Sequence, residues 1–204
     1  TTGASLSAVG VGALYANTTG SNNVAMGTSS LVSNTTGASN TGLGRDTLRN
    51  NTTASNNTAV GYQAGYTNTT GTSSNYFGVH AGYGANGDMN VAVGHQSMYA
   101  TGSGAYNAAL GYQALHSNTS GSYNVSVGRL SLNSNTSASY NTAVGYQSLT
   151  SNTTGQNNTG LGYNSLSLNT TASNNTAIGH DTLDVNTTGA QNTAVGQGAL
   201  GANT

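Results

Sequence analysis

Apolar side chains recur along this chain in columns rather than in runs. Taking the glycine of Asn-Thr-Ala-Val-Gly as an anchor, the same position returns at Gly10, Gly27, Gly44, Gly61, Gly78, Gly94, Gly111, Gly128, Gly145, Gly162, Gly179 and Gly196. Successive anchors are 17 residues apart, except for the 16 between Gly78 and Gly94. Residues 1–204 therefore read as a single array of twelve repeats and not as a string of domains. Immediately before the anchor stand Val9, Met26, Leu43, Val60, Phe77, Val93, Leu110, Val127, Val144, Leu161, Ile178 and Val195, a column that predicts burial. Four residues after the anchor Leu dominates, from Leu14 and Leu31 to Leu183 and Leu200, and predicts a second buried column. Small residues two before and three after it predict close backbone approach, and this small-residue face is expected to pack against partner chains.

The local chemistry favours strands. Asn-Thr-Ala-Val-Gly places β-branched residues in alternation, while the Gly- and Asn-rich remainder of each repeat is turn material, and a helix would meet a Gly in every repeat. The expected fold is all-β: a parallel β-solenoid, or β-roll, of twelve 17-residue coils with two or three short strands per coil, rod-like and without a globular core. One coil per strand spacing of about 4.8 Å gives a rod about 55–60 Å long. Asn recurs four residues before the anchor, as at Asn23, Asn40, Asn57 and Asn141, where stacked amides can bond along the axis. The position after the anchor varies widely, from Arg45 through Tyr62 and His95 to Gln197, as on a solvated surface.

Composition narrows the function classes. Charged residues are 3% of the chain and the formal net charge is -1, which offers no basic footprint for nucleic acid. With no Cys there is no disulfide or thiolate metal site, and no apolar run is long enough to span a membrane. His80, His95, His116 and His180 fall in different coils, and Asp46, Asp88, Asp181 and Asp184 lack a partner base or nucleophile. No catalytic, cofactor-binding or metal site is expected, and an enzyme is the least favoured class.

The repeat Asn-Thr-Ala-Val-Gly-Tyr-Gln-Ala/Ser-Leu followed by Ser-Asn-Thr-Thr-Gly, seen at Asn141–Gly155 and, with Gly65 for the Leu, at Asn57–Tyr66, resembles the repeats of bacteriophage tail fibre and related surface fibre proteins. More distantly, Ala-Val-Gly-x-x-Ala is similar to the repeat of trimeric autotransporter adhesin heads. The resemblance implies an extracellular or virion-surface shaft, non-catalytic, assembled from copies of itself as a homotrimer or head-to-tail filament. Joining the ends gives Asn203-Thr204-Thr1-Thr2-Gly3, which resumes the repeat and fits an extended polymer.

Three further features bear on function. Seven residues after the anchor, Asn17, Asn34, Asn51, Asn68, Asn118, Asn135, Asn152, Asn169 and Asn186 each open an N-glycosylation sequon, with Asn50, Asn56, Asn124, Asn157 and Asn174 off that column. Left-handed turn Asn is the competing explanation for the column. Around the short repeat, Tyr76, His80, Tyr83, His95 and Tyr99 form an expected contact patch or kink, unless that repeat has simply drifted. Exposed Tyr62, Tyr112, Tyr146 and Tyr163 make an adhesin that stacks on glycans the alternative to a shaft, and the register of Thr18-Thr19 leaves an ice-binding solenoid as a minor one.

Overall fold

In a computed structural model, which describes residues 2–203, every repeat contributes one strand of three residues. The strands are β1 (Ser7–Val9), β2 (Val24–Met26), β3 (Thr41–Leu43), β4 (Thr58–Val60), β5 (Asn75–Phe77), β6 (Val91–Val93), β7 (Ala108–Leu110), β8 (Val125–Val127), β9 (Thr142–Val144), β10 (Thr159–Leu161), β11 (Thr176–Ile178) and β12 (Thr193–Val195). They form one 12-stranded parallel sheet in chain order, each repeat position pairing with its own counterpart in the next coil. The chain is an all-β solenoid of stacked coils. The end-to-start junction falls on Thr1 and Thr204, outside the described residues.

Coils carry one strand each, not the two or three expected. The rest of the coil is a series of tight turns, because left-handed residues are spaced two apart through it. In the first coil the amides of Ala13, Tyr15 and Asn17 bond the carbonyls of Gly10, Gly12 and Leu14 at 3.3, 3.3 and 3.1 Å. Gly12 and Leu14, with φ of 74° and 51°, supply the positive φ that a type II turn needs at its third residue. A left-handed Leu is unfavourable locally, yet the choice recurs down the column, for example at Leu31, Leu48 and Leu115. What offsets it is the next coil: the Leu31 amide donates to the Thr47 carbonyl at 2.9 Å and the Asp46 amide to the Thr28 carbonyl at 2.9 Å. Turns thus stack with the same axial bonding as strands.

The anchor glycine is required twice over. Its φ lies in a region that only glycine occupies readily, as at Gly61 (φ 126°). A methyl group there would also sit 2.6 Å from the Gly78 carbonyl oxygen of the next coil.

The core is a narrow axial column, and its composition corrects the sequence reading. The Leu column is buried as expected (Leu31, Leu48, Leu115, Leu132, Leu149, Leu166 and Leu183 at 0% exposure). Opposite it lies not the bulky residue before the anchor but the small one two before it: Ala25, Ala59, Ala92, Ala109, Ala143 and Ala177. The bulky column points outward, with Val9 59%, Leu110 41%, Leu161 44% and Val195 66% exposed. Width decides this inversion. A Cβ on Gly42 in β3 would already lie 2.5 Å from Ser30 Oγ and 2.8 Å from Thr47 Oγ1, so a Val cannot fit there. The small residues three after the anchor form that opposing wall, and their hydroxyls bond strand carbonyls inside the rod, Ser148 Oγ to the Gly160 carbonyl at 3.0 Å. They are therefore interior and not a face for partner chains.

One coil departs from the rule and compensates. In β5 the inward position is Tyr76, fully buried, and the two Leu positions beside it are Gly65 and Gly82. A Cβ on Gly65 would meet the Tyr76 ring at 2.8 Å, and one on Gly82 would overlap it. The aromatic ring takes the volume of the missing leucines. No kink follows from the short repeat, since β4, β5 and β6 stay in register. The missing residue is absorbed in the turns, where side chains replace main chain. Asn86 Oδ1 accepts the Thr69 amide at 2.7 Å and Asp88 Oδ1 the Thr72 amide at 2.7 Å, work done elsewhere by the Thr35 carbonyl and the Ser55 hydroxyl.

Two substitutions test these points by chemical denaturation. Gly61→Ala is expected to lower stability by about 2–4 kcal/mol, combining a forbidden φ with overpacking. Tyr76→Ala, which leaves a void that two neighbouring glycines cannot fill, is expected to cost about 3–5 kcal/mol, and Gly82→Leu in the same background to restore part of it.

Candidate functional site

The side chains capable of chemistry are arranged as ladders, two inside the rod and three outside. The first internal ladder is the Asn column four residues before the anchor. Each Oδ1 accepts the backbone amide of the equivalent residue one coil on (Asn40 to Asn23 at 2.9 Å, Asn158 to Asn141 at 2.9 Å). Each Nδ2 donates to a carbonyl in the following turn, as Asn141 does to Gly155 at 2.9 Å. The second is the sequon column. There Nδ2 donates to the preceding coil's Oδ1 (Asn51 to Asn34 at 2.8 Å) and to the carbonyl three residues on in its own coil (Asn152 to Gly155 at 2.9 Å). Both ladders therefore meet on one carbonyl per coil: Gly155 from Asn141 and Asn152, Ala54 from Asn40 and Asn51.

This placement corrects the glycosylation reading. Asn34, Asn51, Asn68, Asn118, Asn135, Asn152, Asn169 and Asn186 are fully buried and Asn17 nearly so. Their Nδ2 atoms, which a glycan would occupy, are donors in the interior, Asn152 and Asn186 among them. The left-handed turn explanation also fails for this column, because none of these residues has positive φ. Among the off-column sequons Asn124 is buried and Asn50 half-buried, whereas Asn56, Asn157 and Asn174 are exposed on left-handed corners with φ of 62°, 56° and 62°. Those three corners are the sequon positions that the fold leaves exposed.

The surface carries aromatic ladders whose rings stack at the coil spacing. Tyr66, Tyr83, Tyr99 and His116 follow one another at centroid distances of 5.0, 5.0 and 5.2 Å. Tyr106, Tyr123 and Tyr140 form another at 4.9 and 5.2 Å. The third uses the residue after the anchor. Arg45 lies over Tyr62 at 5.8 Å, His95 stacks on Tyr112 at 5.6 Å, Arg129 sits between Tyr112 and Tyr146 at 5.5 and 5.4 Å, and Tyr163 joins Tyr146 to His180 at 5.1 and 4.9 Å. Arg129 also donates to the Tyr146 hydroxyl at 3.0 Å.

Of the expected contact patch, His80, Tyr83, His95 and Tyr99 do come together on this surface, and Tyr76 does not, being core. His80 is the junction, within 5.4 Å of Tyr62, 5.7 Å of Tyr83, 6.2 Å of His95 and 5.9 Å of Tyr99. Tyr66 and His116 belong to the same assembly and were missed, although Tyr66, Tyr83, Tyr99 and His116 all stand five residues after their anchors. A ring inside a ladder has both π-faces covered, as Tyr83 and Tyr163 show. What such a ladder offers to solvent is ring edges and hydroxyls.

Charges pair locally. Asp46, whose side chain is almost buried, takes Arg49 at 2.6 Å and Arg45 at 3.2 Å, and its hydrogen bond raises the Arg49 pKa. His180 lies 3.0 Å from Asp181. Among the described residues no group of three His, Asp or Glu is placed to hold a metal ion, no surface pocket forms, and no helix is long and apolar enough to cross a membrane. In the first Thr column the hydroxyls are used along the axis, Thr18 to the Thr35 carbonyl at 2.9 Å and Thr119 to that of Thr136 at 2.9 Å, which leaves the exposed neighbours such as Thr19 and Thr36 as the free column. No family model, curated protein or solved structure matches the chain.

Burial lowers the pKa of His116, and burial followed by the neighbouring His95 lowers that of His80, from 6.5. Both bases are harder to protonate folded than unfolded. Their contribution is therefore intact above about pH 6.5 and is lost as pH falls through that value towards the folded ones. The melting temperature is expected to drop between pH 7 and pH 5, with a smaller drop in His80→Gln/His116→Gln; equal drops in the two proteins would count against this assignment.

Proposed function

We propose that the chain is a segment of a structural, non-catalytic extracellular fibre, the shaft of a tail-fibre-like or surface filament assembled from copies of itself. One observation carries this reading. Both interior Asn columns make bonds along a single axis, coil to coil, so the array is a device for holding length and stiffness. Extracellular placement rests on the likeness of Asn-Thr-Ala-Val-Gly-Tyr-Gln-Ala/Ser-Leu to fibre repeats. The covered ring faces give the alternative, a glycan adhesin stacking through Tyr62, Tyr112, Tyr146 and Tyr163, less to work with, since sugars pack on ring faces and not on ring edges. N-linked decoration, if the fibre carries it, belongs on Asn56, Asn157 and Asn174.

The shaft reading is tested by length. Inserting one further 17-residue repeat between Asn157 and Asn158 is expected to lengthen the particle by one strand spacing, about 4.8 Å, and four such repeats by about 19 Å, at constant width in electron micrographs. A particle that widens or becomes globular would overturn it. Glycan-array binding that disappears in Tyr146→Ala would shift the assignment to adhesion.

A further inference from the structure

We propose that the outward face of the sheet is a seam on which a second copy of this chain packs, sheet against sheet. This deepens the shaft reading, on which it rests, by naming the surface through which copies associate. The observation is the bulky column that the fold turns outward. Val9, Met26, Phe77, Val93, Leu110, Leu161, Ile178 and Val195 are each more than a third exposed, and they stand at the same position on strands of one parallel ribbon. The other outward position is a small or β-branched residue such as Val24, Thr58, Val91, Val125 or Thr176 on every strand but β5, which has the uncharged Asn75 there. No Asp, Glu, Lys or Arg occurs in either column, in a chain whose other surfaces carry Arg45, Arg49, Arg129 and Asp88.

Three considerations select a second copy as the occupant. The ridge repeats once per strand spacing, about 4.8 Å, over about 55 Å, and only a surface of the same period meshes with it along that whole length. Another coil array has that period by construction. The ribbon, about 10 Å across, offers about 550 Å² per copy, so that two copies bury about 1,100 Å², which clears the roughly 1,000 Å² that a specific interface needs. The absence of charge from both columns lets identical faces meet without like-charge repulsion, and without basic residues on the face there is nothing to hold lipid headgroups. The interior cannot relieve this exposure, because the inward strand position is tight, as at Gly42 and Gly160, and where it is wider, in β5, Tyr76 already fills it.

The test is sedimentation of the chain between about 1 and 100 µM, wild type against Leu110→Lys/Val144→Lys. The wild type is expected to sediment as a dimer or larger, and the double variant to associate about a hundredfold more weakly with an unchanged circular dichroism spectrum. Thr154→Lys, exposed on another side, is expected to behave as wild type. Should the Lys pair fail to fold, Leu110→Thr/Val144→Thr puts residues already used on the same face in their place and is expected to weaken association in the same direction. A wild type that stays monomeric, or a Thr pair that associates as tightly, overturns the seam. A monomeric wild type that inhibits ice recrystallisation, with the activity lost in the double variant, would assign the ribbon to ice instead. A monomer that still lengthens with added repeats sinks the seam alone and leaves the shaft reading standing.

Discussion

The rod depends on one constraint: a buried amide needs bonding partners, and here many of them are supplied by the equivalent residue of the neighbouring coil. Burying an unpaired amide costs about 1–3 kcal/mol, whereas a paired one adds about 0.5–1.5 kcal/mol net. Each interior Asn is therefore a liability in an isolated coil and an asset in a stack. The convergence of two amides on one carbonyl per coil, as Asn141 and Asn152 do on Gly155, sharpens the effect, for both ladders lose a partner if the coils slip. Register is fixed by polar bonding as much as by the apolar column. A one-residue slip would present the amides to the wrong backbone groups and turn the outward Val and Leu side chains into a space that does not admit them.

The short repeat shows how far that constraint bends. Ala85 and Thr101 stand where the sequon column would have Asn, so the second ladder is interrupted between Asn68 and Asn118. The break already starts one coil earlier, since Asn68 Nδ2 donates to the Gly71 carbonyl at 2.9 Å and its Oδ1 accepts the Gly71 amide at 2.9 Å, and Asn51 Oδ1 and Thr101 Oγ1 are buried without partners. The first ladder survives the same region by substitution, Ser74 standing in its column, accepting the Asn90 amide at 3.0 Å and donating its own amide to Asn57 at 2.9 Å. Tyr76 is the apolar counterpart, a large ring admitted where two leucines are absent; burial pushes its hydroxyl up to about 12, the Asp88 charge acting the same way and Ser74 opposing. Loss of one amide ladder, gain of an aromatic core residue and the densest surface clustering of rings around His80 thus coincide in these coils. The aromatic stacking outside adds axial contacts where axial hydrogen bonds are fewest inside.

Much of the architecture was legible in the sequence because periodicity is a translation-invariant signal: a residue that recurs every 17 positions has one environment, whatever that environment is. The Leu column, the amide column and the parallel in-register stack follow from it. Which way a strand faces does not. In Thr-Ala-Val the alternation is plain, but period two fits either face, and the usual equation of bulk with burial chose wrongly. The deciding quantity is the distance across the coil, fixed by turns whose left-handed residues include Leu31 and Leu48, a type that local propensity would not assign there. The sequon column failed for a related reason. Asn-Thr-Thr in a turn-rich chain reads as surface, yet here the turn folds its Asn inward because a ladder is waiting for it.

The same inversion links stability to assembly. A coil narrow enough to be held by backbone and amide bonds has room for one Leu and one Ala, too little apolar burial to stand by itself against the entropy of ordering its chain. Widening the coil would enlarge the core but would separate the strand from the small-residue wall and break contacts such as Ser30 Oγ to the Gly42 carbonyl at 3.0 Å and Ser148 Oγ to the Gly160 carbonyl at 3.0 Å. The bulky residues then have nowhere to go but out. Their alignment on one ribbon rather than scattered around the coil follows from the strand being the only segment with two-residue alternation, since elsewhere the left-handed turns send successive side chains in other directions. An exposed apolar face is thus a geometric consequence of a thin polar-laddered coil, and covering it is the one large hydrophobic gain that the single chain leaves unrealised.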